Sequence, residues 1–386
     1  MQIVQTVFGV FHHFELAHQL ERRGHLKRIY STWPWARLQR EGLSRSQVGT
    51  FPLLHTADYL LGRTRFSPRQ VSTVVNRMNA LAFDEWTARL IPACNALISI
   101  SGSGLKTGQL VQRRGCKFIC DRGSTHQRFQ TELMREEYGR WGLTPLPEKQ
   151  HITCREEAIY AVADAITVPS QVAKRSFVAM GVPAEKVAVI PYGVRLDRFK
   201  KTQDAPKDSF EVLFAGQVSV RKGIPYLLEA FASLRHPQKH LTVIGAIASD
   251  IEPLLRRLPI NAVTFTGSLP QAELIGHMSR SHVLVLPSVE EGLALVQAQA
   301  MACECPVIAT RATGAEDLFS DGVEGFIIED RDVAALTERM QQLADDPSLR
   351  MRMAAAAIER VRGLGGWNAY GERWDRLLHD LTGCAM

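Results

Sequence analysis

The chain has 386 residues, more than a single hydrophobic core usually organises, so its length predicts two domains. Its composition, 45% hydrophobic and 22% charged, is ordinary for a globular protein, and no run approaches the roughly 18 uncharged apolar residues of a membrane span. The net charge of +6 is uneven, because residues 1–195 hold 26 Lys and Arg against 15 Asp and Glu. That excess favours contact with an anionic membrane surface or with phosphates, and a solvated basic face is the plain alternative.

The amino-terminal sequence and the cysteines bear on location. The segment MQIVQTVFGV has neither a basic region nor a cleavage site, so it predicts a buried first strand and not a signal peptide. The seven cysteines form no CxxC pair, and we expect free thiols in a reducing cytoplasm, without a zinc site. No basic motif interleaved with aromatic residues appears, which argues against a nucleic-acid partner.

Short apolar runs alternate with helical patterns along the first half of the chain. A helix is predicted over 14–25, where Leu16 and Leu20 share a face and Gly24 supplies a C-terminal stop. The predicted strands of this half are 2–9, 26–32, 96–102, 117–123, 165–170 and 187–193.

The second half repeats the alternation more regularly, with helices predicted over 224–235 and 271–280. Its predicted strands are 211–216, 241–245, 262–267, 282–288, 306–310 and 325–328. Their β-branched, nearly continuous apolar character is typical of strands buried on both faces, and the alternation predicts parallel strands with crossover helices. Each half is therefore predicted to be a doubly wound α/β domain that binds its ligand at the carboxyl ends of the strands.

A polar segment without periodicity, 195–209, separates the two halves. We place the first domain at 1–195 and the second at 196–366. The helical stretch at the end of the chain, about 367–386, is expected to pack back on the first domain. Two such domains would face each other across a cleft, where small ligands usually bind.

Two segments of the second domain suggest a site for phosphates. The strand that ends at Ser288 is followed by Glu291, and a helix is predicted to begin near Leu293, so that the amides of 293–295 would suit a phosphate. Arg221 and Lys222 fall just before another predicted helix and could neutralise a diphosphate without a metal ion. A plain buried helix and an ordinary surface RKG sequence are the respective alternatives.

Polar residues also follow two strands of the first domain. Gly9 ends the first strand and would let the backbone approach a ligand, and His12 and His13 follow it. A second polar group lies where the buried strand predicted at 117–123 leads into a loop, and it consists of Asp121, Arg122 and His126. Structural histidines are the alternative interpretation.

The motifs together resemble those of the retaining glycosyltransferases of family 4, which have the GT-B fold. The resemblance covers most of the chain and is strongest over 210–330. The segments that carry it are PSVEEGLALVQAQAMACECPVIAT (287–310), AGQVSVRKG (215–223), DGVEGFII (321–328), VIPYGVRLDRF (189–199) and LAHQLERRGH (16–25). The fold class implied is α/β of the GT-B type, with two doubly wound, Rossmann-like domains.

The resemblance also implies roles for the residues. Glu291 would contact the donor sugar, Gln299 the ribose, and Lys222 the diphosphate. The full donor-binding set implied is Gly9, Gly216, Arg221, Lys222, Glu291, Gly292, Leu293, Ala294, Leu295 and Gln299. The residues implied for the acceptor side are His12, His13, Arg122 and His126, and those implied for catalysis are Glu291, Lys222, His126 and Asp121. The sequence departs from the family pattern at Gln217, Ala294, Gln299, Thr313 and Asp317.

The function implied is retaining transfer of a sugar, from a UDP- or GDP-sugar, to a glycan or lipid-linked acceptor. Cell-surface polysaccharide or glycolipid synthesis at the cytoplasmic face of the membrane would be the setting, with peripheral membrane contact through the basic first domain. No cofactor, no metal ion and no nucleic acid is expected. The alternatives are a catalytically silent GT-B scaffold, which the glutamines at 217 and 299 would favour, and a sugar-nucleotide epimerase of the same fold.

Overall fold

Two parallel β-sheets form the framework of the protein, in a computed structural model that describes residues 1–52, 69–145, 150–195 and 197–384. Within these ranges the first sheet has seven strands in the order β3-β2-β1-β4-β5-β6-β7. Its strands are Ile3–Val7 (β1), Leu26–Ser31 (β2), Val48–Thr50 (β3), Ala96–Ile100 (β4), Lys117–Asp121 (β5), Ala165–Val168 (β6) and Val187–Val189 (β7).

The second sheet has six strands within the described ranges, in the order β10-β9-β8-β11-β12-β13. They are Phe210–Ala215 (β8), Lys239–Ile244 (β9), Val263–Gly267 (β10), Val283–Leu286 (β11), Val307–Thr310 (β12) and Gly325–Ile328 (β13). All paired strands in both sheets run parallel. The prediction of two doubly wound α/β sheets is therefore confirmed.

Helices connect the strands and cover both sheets. Those before the second sheet are His13–Arg22 (α1), Trp35–Leu38 (α2), Arg69–Leu90 (α3), Leu105–Arg113 (α4), Gln127–Arg140 (α5), Gln150–Val162 (α6) and Gln171–Ala179 (α7). The later ones are Ile224–Ser233 (α8), Glu252–Leu255 (α9), Gln271–Arg280 (α10), Val296–Ala302 (α11), Val333–Asp345 (α12), Pro347–Gly363 (α13) and Gly366–Thr382 (α14). Short 3₁₀ turns lie at Gln39–Glu41, Arg45–Gln47, Ala184–Lys186, Arg311–Thr313 and Ala315–Asp317.

Strand β3 was not predicted from the sequence. It has only three residues, too few to show a periodic pattern, and it pairs with β2 at the edge of the first sheet. Gly49 in its centre lies directly under the ring of Tyr30, where a Cβ would overlap the aromatic carbons. The strand thus depends on its tertiary contact with Tyr30, which the local sequence does not predict.

The last helix, α14, packs against the first domain although it follows the second in the chain. Trp374 is fully buried and shares a hydrophobic cluster with Ile3, Leu16 and Leu20. The chain turns into this helix through Gly365 and Gly366, whose φ angles of 73° and 56° favour glycine. The helix therefore connects the end of the chain with the domain formed by its beginning.

The strand order places a topological switch point in each sheet. β1 lies between β2 and β4, and β8 lies between β9 and β11, so the loops at their carboxyl ends diverge and leave room for a ligand. All seven cysteines are unpaired. None of the helices in the described ranges is both long and apolar enough to cross a bilayer.

Candidate active site

Two loops of the second domain lie together at its switch point. One precedes α8 and carries Arg221 and Lys222, and the other follows β11. Gly223 has a φ of 68°, and a Cβ there would overlap the carbonyl oxygen of Pro287, so glycine is required for this close approach. The amide of Val289 donates to the carbonyl of Arg221 at 2.9 Å, which fixes the two loops in register.

These loops bring two cations against two carboxylates. Lys222 forms an ion pair with Glu291, and Arg221 lies 3.2 Å from Glu290 Oε2 and 3.5 Å from Glu291 Oε1. Burial, followed by the neighbouring Arg221 guanidinium, lowers the pKa of Lys222 to about 7, although the charge of Glu290 acts in the opposite direction. An anionic group that entered here would restore the full charge of Lys222, so the pair of cations suits a diphosphate.

Glu290 links the two domains. Its carboxylate accepts hydrogen bonds from Ser124 Oγ at 2.7 Å, Thr125 Oγ1 at 2.6 Å and Gln130 Nε2 at 2.7 Å, all from the first domain. Burial alone would raise the pKa of Glu290, but Arg221 and the three hydrogen bonds outweigh it and hold that pKa below its ordinary value. Sequence reasoning selected Glu291 and missed Glu290, since nothing in an EE pair says which carboxylate turns towards another domain.

Two glycines, one from each domain, lie in close contact. A Cβ at Gly292 would overlap the carbonyl oxygen of Gly123 in the first domain, so only glycine permits this approach. The hydroxyl of Ser170, which also caps α7, donates to the carbonyl of Gly292. The loop that follows β11 and carries Glu290, Glu291 and Gly292, the candidate donor loop, is therefore held directly against the polar loop that follows β5.

Helix α11 begins at Val296, three residues later than predicted. The residues before it are occupied by other contacts, because the amide of Ala294 donates to the carbonyl of Thr313 at 3.0 Å. That amide is thus already satisfied and does not face a phosphate in this arrangement. Leu293 and Leu295 lie in the same loop, outside the helix.

Gln299 consequently lies in the first turn of α11, about 4.5 Å from its start at 1.5 Å per residue, and is nearer to that start than a helix beginning at Leu293 would place it. It follows Val296 by three residues and shares its helix face. Val296, Gly216 and Gln217 line a cavity of about 430 Å³ at the carboxyl ends of β8 and β9. The neighbouring Gln297 is buried and bonded to the carbonyls of Ala294 and Thr313, so it is a structural residue.

A histidine–aspartate pair occupies the first-domain side of the cleft. His12 Nε2 lies 2.7 Å from Asp121 Oδ2, and Thr167 donates to the other oxygen at 2.8 Å. Burial would raise the pKa of Asp121, but the charge and hydrogen bond of His12 outweigh it and lower that pKa. The pair lies close to Gly123, so it is adjacent to the point where the two domains meet.

His13 and His126 have structural surroundings. His13 is fully buried, its Nε2 lies 3.2 Å from Asp121 Oδ2, and burial lowers its pKa to about 3, so the ring stays neutral. His126 is buried against Tyr160 and Phe177, and burial lowers its pKa to about 4. Its Nδ1 accepts from the amide of Arg128 at 3.2 Å, which makes it the N-cap of α5. The acceptor contacts predicted for both histidines stay predictions.

Arg122 stabilises the loop that follows β5 through several hydrogen bonds. Its guanidinium lies 3.3 Å from Glu156 and donates to the carbonyl of Thr125 at 3.0 Å. It also bonds Gln130, one of the residues that hold Glu290. Arg122 therefore helps to position the residues of the inter-domain contact, and its predicted role on the acceptor side stays a prediction.

Gly9 lies within the first domain, with a φ of 82°. A Cβ there would come within 2.7 Å of Trp33 Nε1, and its carbonyl accepts from Ser31 Oγ at 2.6 Å. The glycine is explained by its approach to the Trp33 indole, and its predicted contact with the donor stays a prediction.

Comparison with known proteins agrees with this geometry. Residues 9–198 match the model of "Glycosyltransferase Family 4", and residues 197–360 match that of "Glycosyl transferases group 1". A D-inositol 3-phosphate glycosyltransferase of Pseudarthrobacter chlorophenolicus is 31% identical over 205 residues, 49% of each chain, so the similarity spans about half of that relative.

Solved structures resemble the whole fold. Sucrose-phosphate synthase of Thermosynechococcus elongatus superposes with a TM-score of 0.71 over 100% of both chains, at 21% identity. Anabaena Alr3699/HepE in complex with UDP-glucose gives a TM-score of 0.69 at 17% identity, covering 98% of this chain and 100% of the other.

Two facing doubly wound domains, joined at the carboxyl ends of their strands, define a protein of the GT-B class. The two family models, which together span residues 9–360, add the family: the chain belongs to family 4 of the glycosyltransferases.

Proposed function

We propose that this protein transfers a sugar from a nucleoside-diphosphate sugar to a hydroxyl group, with retention of the anomeric configuration and without a metal ion. The observation that carries the proposal is the position of Arg221 and Lys222 against the loop of Glu290 and Glu291, where the two domains meet. Two cations at the switch point of a doubly wound sheet suit a diphosphate.

The donor is proposed to lie along the second domain. Its base and ribose would enter the cavity lined by Gly216 and Val296, and Gln299 would reach the ribose from the first turn of α11. The diphosphate would meet Lys222 and Arg221, and the sugar would meet Glu291. UDP is the proposed nucleotide, since a solved protein of the same fold is described in complex with UDP-glucose.

The chemical step is proposed to rest on charge and position. As the bond from the sugar to the diphosphate breaks, negative charge grows on the leaving oxygens, and Lys222 and Arg221 stabilise it. The departing phosphate stays on the face of the sugar that the acceptor hydroxyl approaches, and it accepts the hydroxyl proton, so the configuration is retained. Closing the two domains excludes water, which would otherwise intercept the sugar.

The metal-independent form of the proposal is supported by the contacts of Asp121. The side chains of His12, His13 and Asp121 lie close enough together to hold a metal ion. Both oxygens of Asp121 are already bonded, however, one to His12 and the other to Thr167. Arg221 and Lys222 would supply the charge that a metal ion would otherwise bring.

The His12–Asp121 pair supports a second mechanism of the opposite stereochemistry. An imidazole whose one nitrogen is held by a carboxylate at 2.7 Å is oriented to take a proton through its other nitrogen. As a general base on the acceptor hydroxyl, His12 would promote direct displacement and inversion. The proton coupling constant of the anomeric proton in the product, measured by NMR, separates the two mechanisms.

The acceptor is proposed to be a glycan or a lipid-linked sugar in cell-surface polysaccharide or glycolipid synthesis at the cytoplasmic face of the membrane. Support for membrane contact comes from exposed basic residues of the first domain, among them Arg22, Lys27 and Arg113. Arg63 and Arg65, which belong to the same basic excess, lie outside the described residues. Sedimentation with phosphatidylglycerol vesicles that is reversed by salt supports this location, and equal recovery with neutral vesicles contradicts it.

A panel of nucleotides tests the donor proposal. The melting temperature is measured with UDP, GDP, ADP and CMP, and a ligand at about 100 times its dissociation constant stabilises by about 2.7 kcal/mol. We expect UDP to raise the melting temperature of the wild type and to have little effect on Lys222→Ala. No effect of any nucleotide would overturn the proposal, whereas binding without hydrolysis or transfer of UDP-sugars would favour the silent scaffold.

A further inference from the structure

A second cluster of side chains that could bind a metal ion lies where β2 begins, between that strand and α14. It consists of His25, at the start of that strand, and of Asp375 and His379, one turn apart on α14. His25 Nε2 lies 3.2 Å from Asp375 Oδ1, and His379 Nε2 lies 3.8 Å from Asp375 Oδ2. One ligand atom of each side chain falls within 4.8 Å of the other two.

The packing of α14 on the first domain positions the cluster. Trp374 directly precedes Asp375, and Leu378 directly precedes His379. Both are buried in the hydrophobic core group that includes Leu20. The backbone of His25 is fixed as well, because its amide donates to the carbonyl of Leu20 at 2.8 Å. The three side chains are thus held by well-packed elements, which favours a formed site over a chance approach of surface groups.

The hydrogen bonds bear on which atoms could hold a metal ion. Asp375 Oδ1 is buried and has no hydrogen-bond partner among the described residues, and His25 Nε2 lies 3.2 Å from it. His25 Nδ1 lies 3.4 Å from the amino nitrogen of Met1, so a metal ion at Nε2 would displace the proton that this contact favours there. His379 Nδ1 lies 2.8 Å from the carbonyl of Cys384, so this nitrogen carries the proton and Nε2 keeps its lone pair. Such a backbone contact is the usual support of a metal-binding histidine.

The ligand types also suit a metal ion, because two imidazoles and one carboxylate lie together. Neutral imidazole and ionised carboxylate are the forms that bind metals. The Asp121 cluster differs, since both of its carboxylate oxygens are already hydrogen-bonded.

We propose that His25, Asp375 and His379 bind one divalent transition-metal ion, for which zinc is the best match. Two imidazole nitrogens and one carboxylate oxygen provide three ligands of a tetrahedral site, and water completes it. Because the ligands come from β2 and α14, the ion fastens the end of the chain to the first domain. It takes no part in sugar transfer.

Titration of tag-free, metal-stripped protein with Zn²⁺, against a coloured chelator, tests the site. We expect one equivalent to bind to the wild type, and binding to Asp375→Asn to be roughly 100-fold weaker or more, since a ligand is lost. Asp380→Asn, an exposed position on the same helix, is the matched control and should bind as the wild type does. Mg²⁺, which prefers oxygen ligands, should not compete.

Stability gives a second readout that does not depend on activity. Zn²⁺ should raise the melting temperature of the wild type and of Asp380→Asn, but not that of Asp375→Asn, with His25→Asn as a second ligand variant. Circular dichroism at low temperature shows that each variant is folded. The proposal is overturned if the wild type binds no Zn²⁺, if Asp375→Asn and His25→Asn bind it normally, or if Asp121→Asn abolishes binding.

Discussion

The hydroxyl of Thr125 in the first domain donates to Glu290 Oε1 in the second at 2.6 Å, and this bond is buried. Ser124 and Gln130 donate to the same carboxylate, and Arg221 lies beside it. Glu290 therefore contacts both the first domain and Arg221, one of the cations that would hold the diphosphate. Donor binding and domain closure are expected to be coupled through Glu290.

Glu290→Ala should open the cleft and destabilise the protein. It leaves three donors and a guanidinium without their acceptor, and loss of one partner of a buried ion pair costs about 3–5 kcal/mol. Urea unfolding and the radius of gyration from solution scattering measure the two effects. Glu290→Gln keeps the shape and one acceptor oxygen, so it should lose less; an alanine variant as stable and as closed as the wild type would contradict the role.

Replacement of Lys222 should lower turnover. Lys222→Ala removes a charge that stabilises the leaving diphosphate, and turnover should fall on the order of 10²-fold or more. The pH dependence tests the same residue. Since the pKa of Lys222 is about 7 in the free protein, its charge is lost as the pH rises through 7, and UDP should bind more weakly from pH 7 to 9.

Lys222→Arg is the control for that pH profile. Arginine stays protonated over this range, so the variant should bind UDP with an affinity that does not change with pH. Isothermal titration calorimetry at several pH values measures both proteins. A wild-type affinity that is constant from pH 7 to 9 would show that Lys222 does not titrate against the diphosphate.

Glu291→Ala should separate the sugar from the nucleotide. Glu291 pairs with Lys222, so its removal frees the cation, and UDP should bind at least as tightly as to the wild type. Binding of the intact UDP-sugar should not improve in parallel, and transfer should be impaired. The assignment of Glu291 to the sugar is wrong if the variant binds UDP much more weakly than the wild type does.

Gln299 should contribute to recognition of the ribose. An amide offers one acceptor and two donors to the vicinal hydroxyls, and neutral hydrogen bonds contribute about 0.5–1.5 kcal/mol each. Gln299→Ala should therefore weaken UDP binding by about 1–2 kcal/mol. The wild type should also prefer UDP to its 2′-deoxy form, and calorimetry with both nucleotides should show that the variant has lost this preference; undiminished discrimination would exclude the contact.

His126 should act as a helix cap and not as a catalytic residue. His126→Ala removes the acceptor for the amide of Arg128 and should cost about 0.5–2 kcal/mol in urea unfolding. His126→Asn supplies another capping acceptor, so it should recover most of that stability and retain turnover. If the asparagine variant were stable but had lost its turnover, His126 would have a catalytic role.

The sequence by itself determined the architecture. Nearly continuous apolar runs and intervening helical patterns are local properties, and they were sufficient to locate twelve of the thirteen strands in the described ranges and to predict parallel, doubly wound sheets. The glycine turns and the RKG and EEG segments also placed polar groups at the carboxyl ends of β8 and β11, since every parallel strand delivers its following loop to the same edge.

The tertiary structure alone decided which of these groups meet. Glu290 bonds Thr125, and His12 bonds Asp121, only because separate strands are in register and the two domains are docked. Another tertiary contact, the hydrogen bond from the amide of Ala294 to the carbonyl of Thr313, holds the chain just before α11, which begins at Val296. A local sequence pattern specifies the type of a secondary-structure element and the face that it buries. The partner of a polar side chain is often far away in the chain, and a local pattern carries no information about where that partner lies.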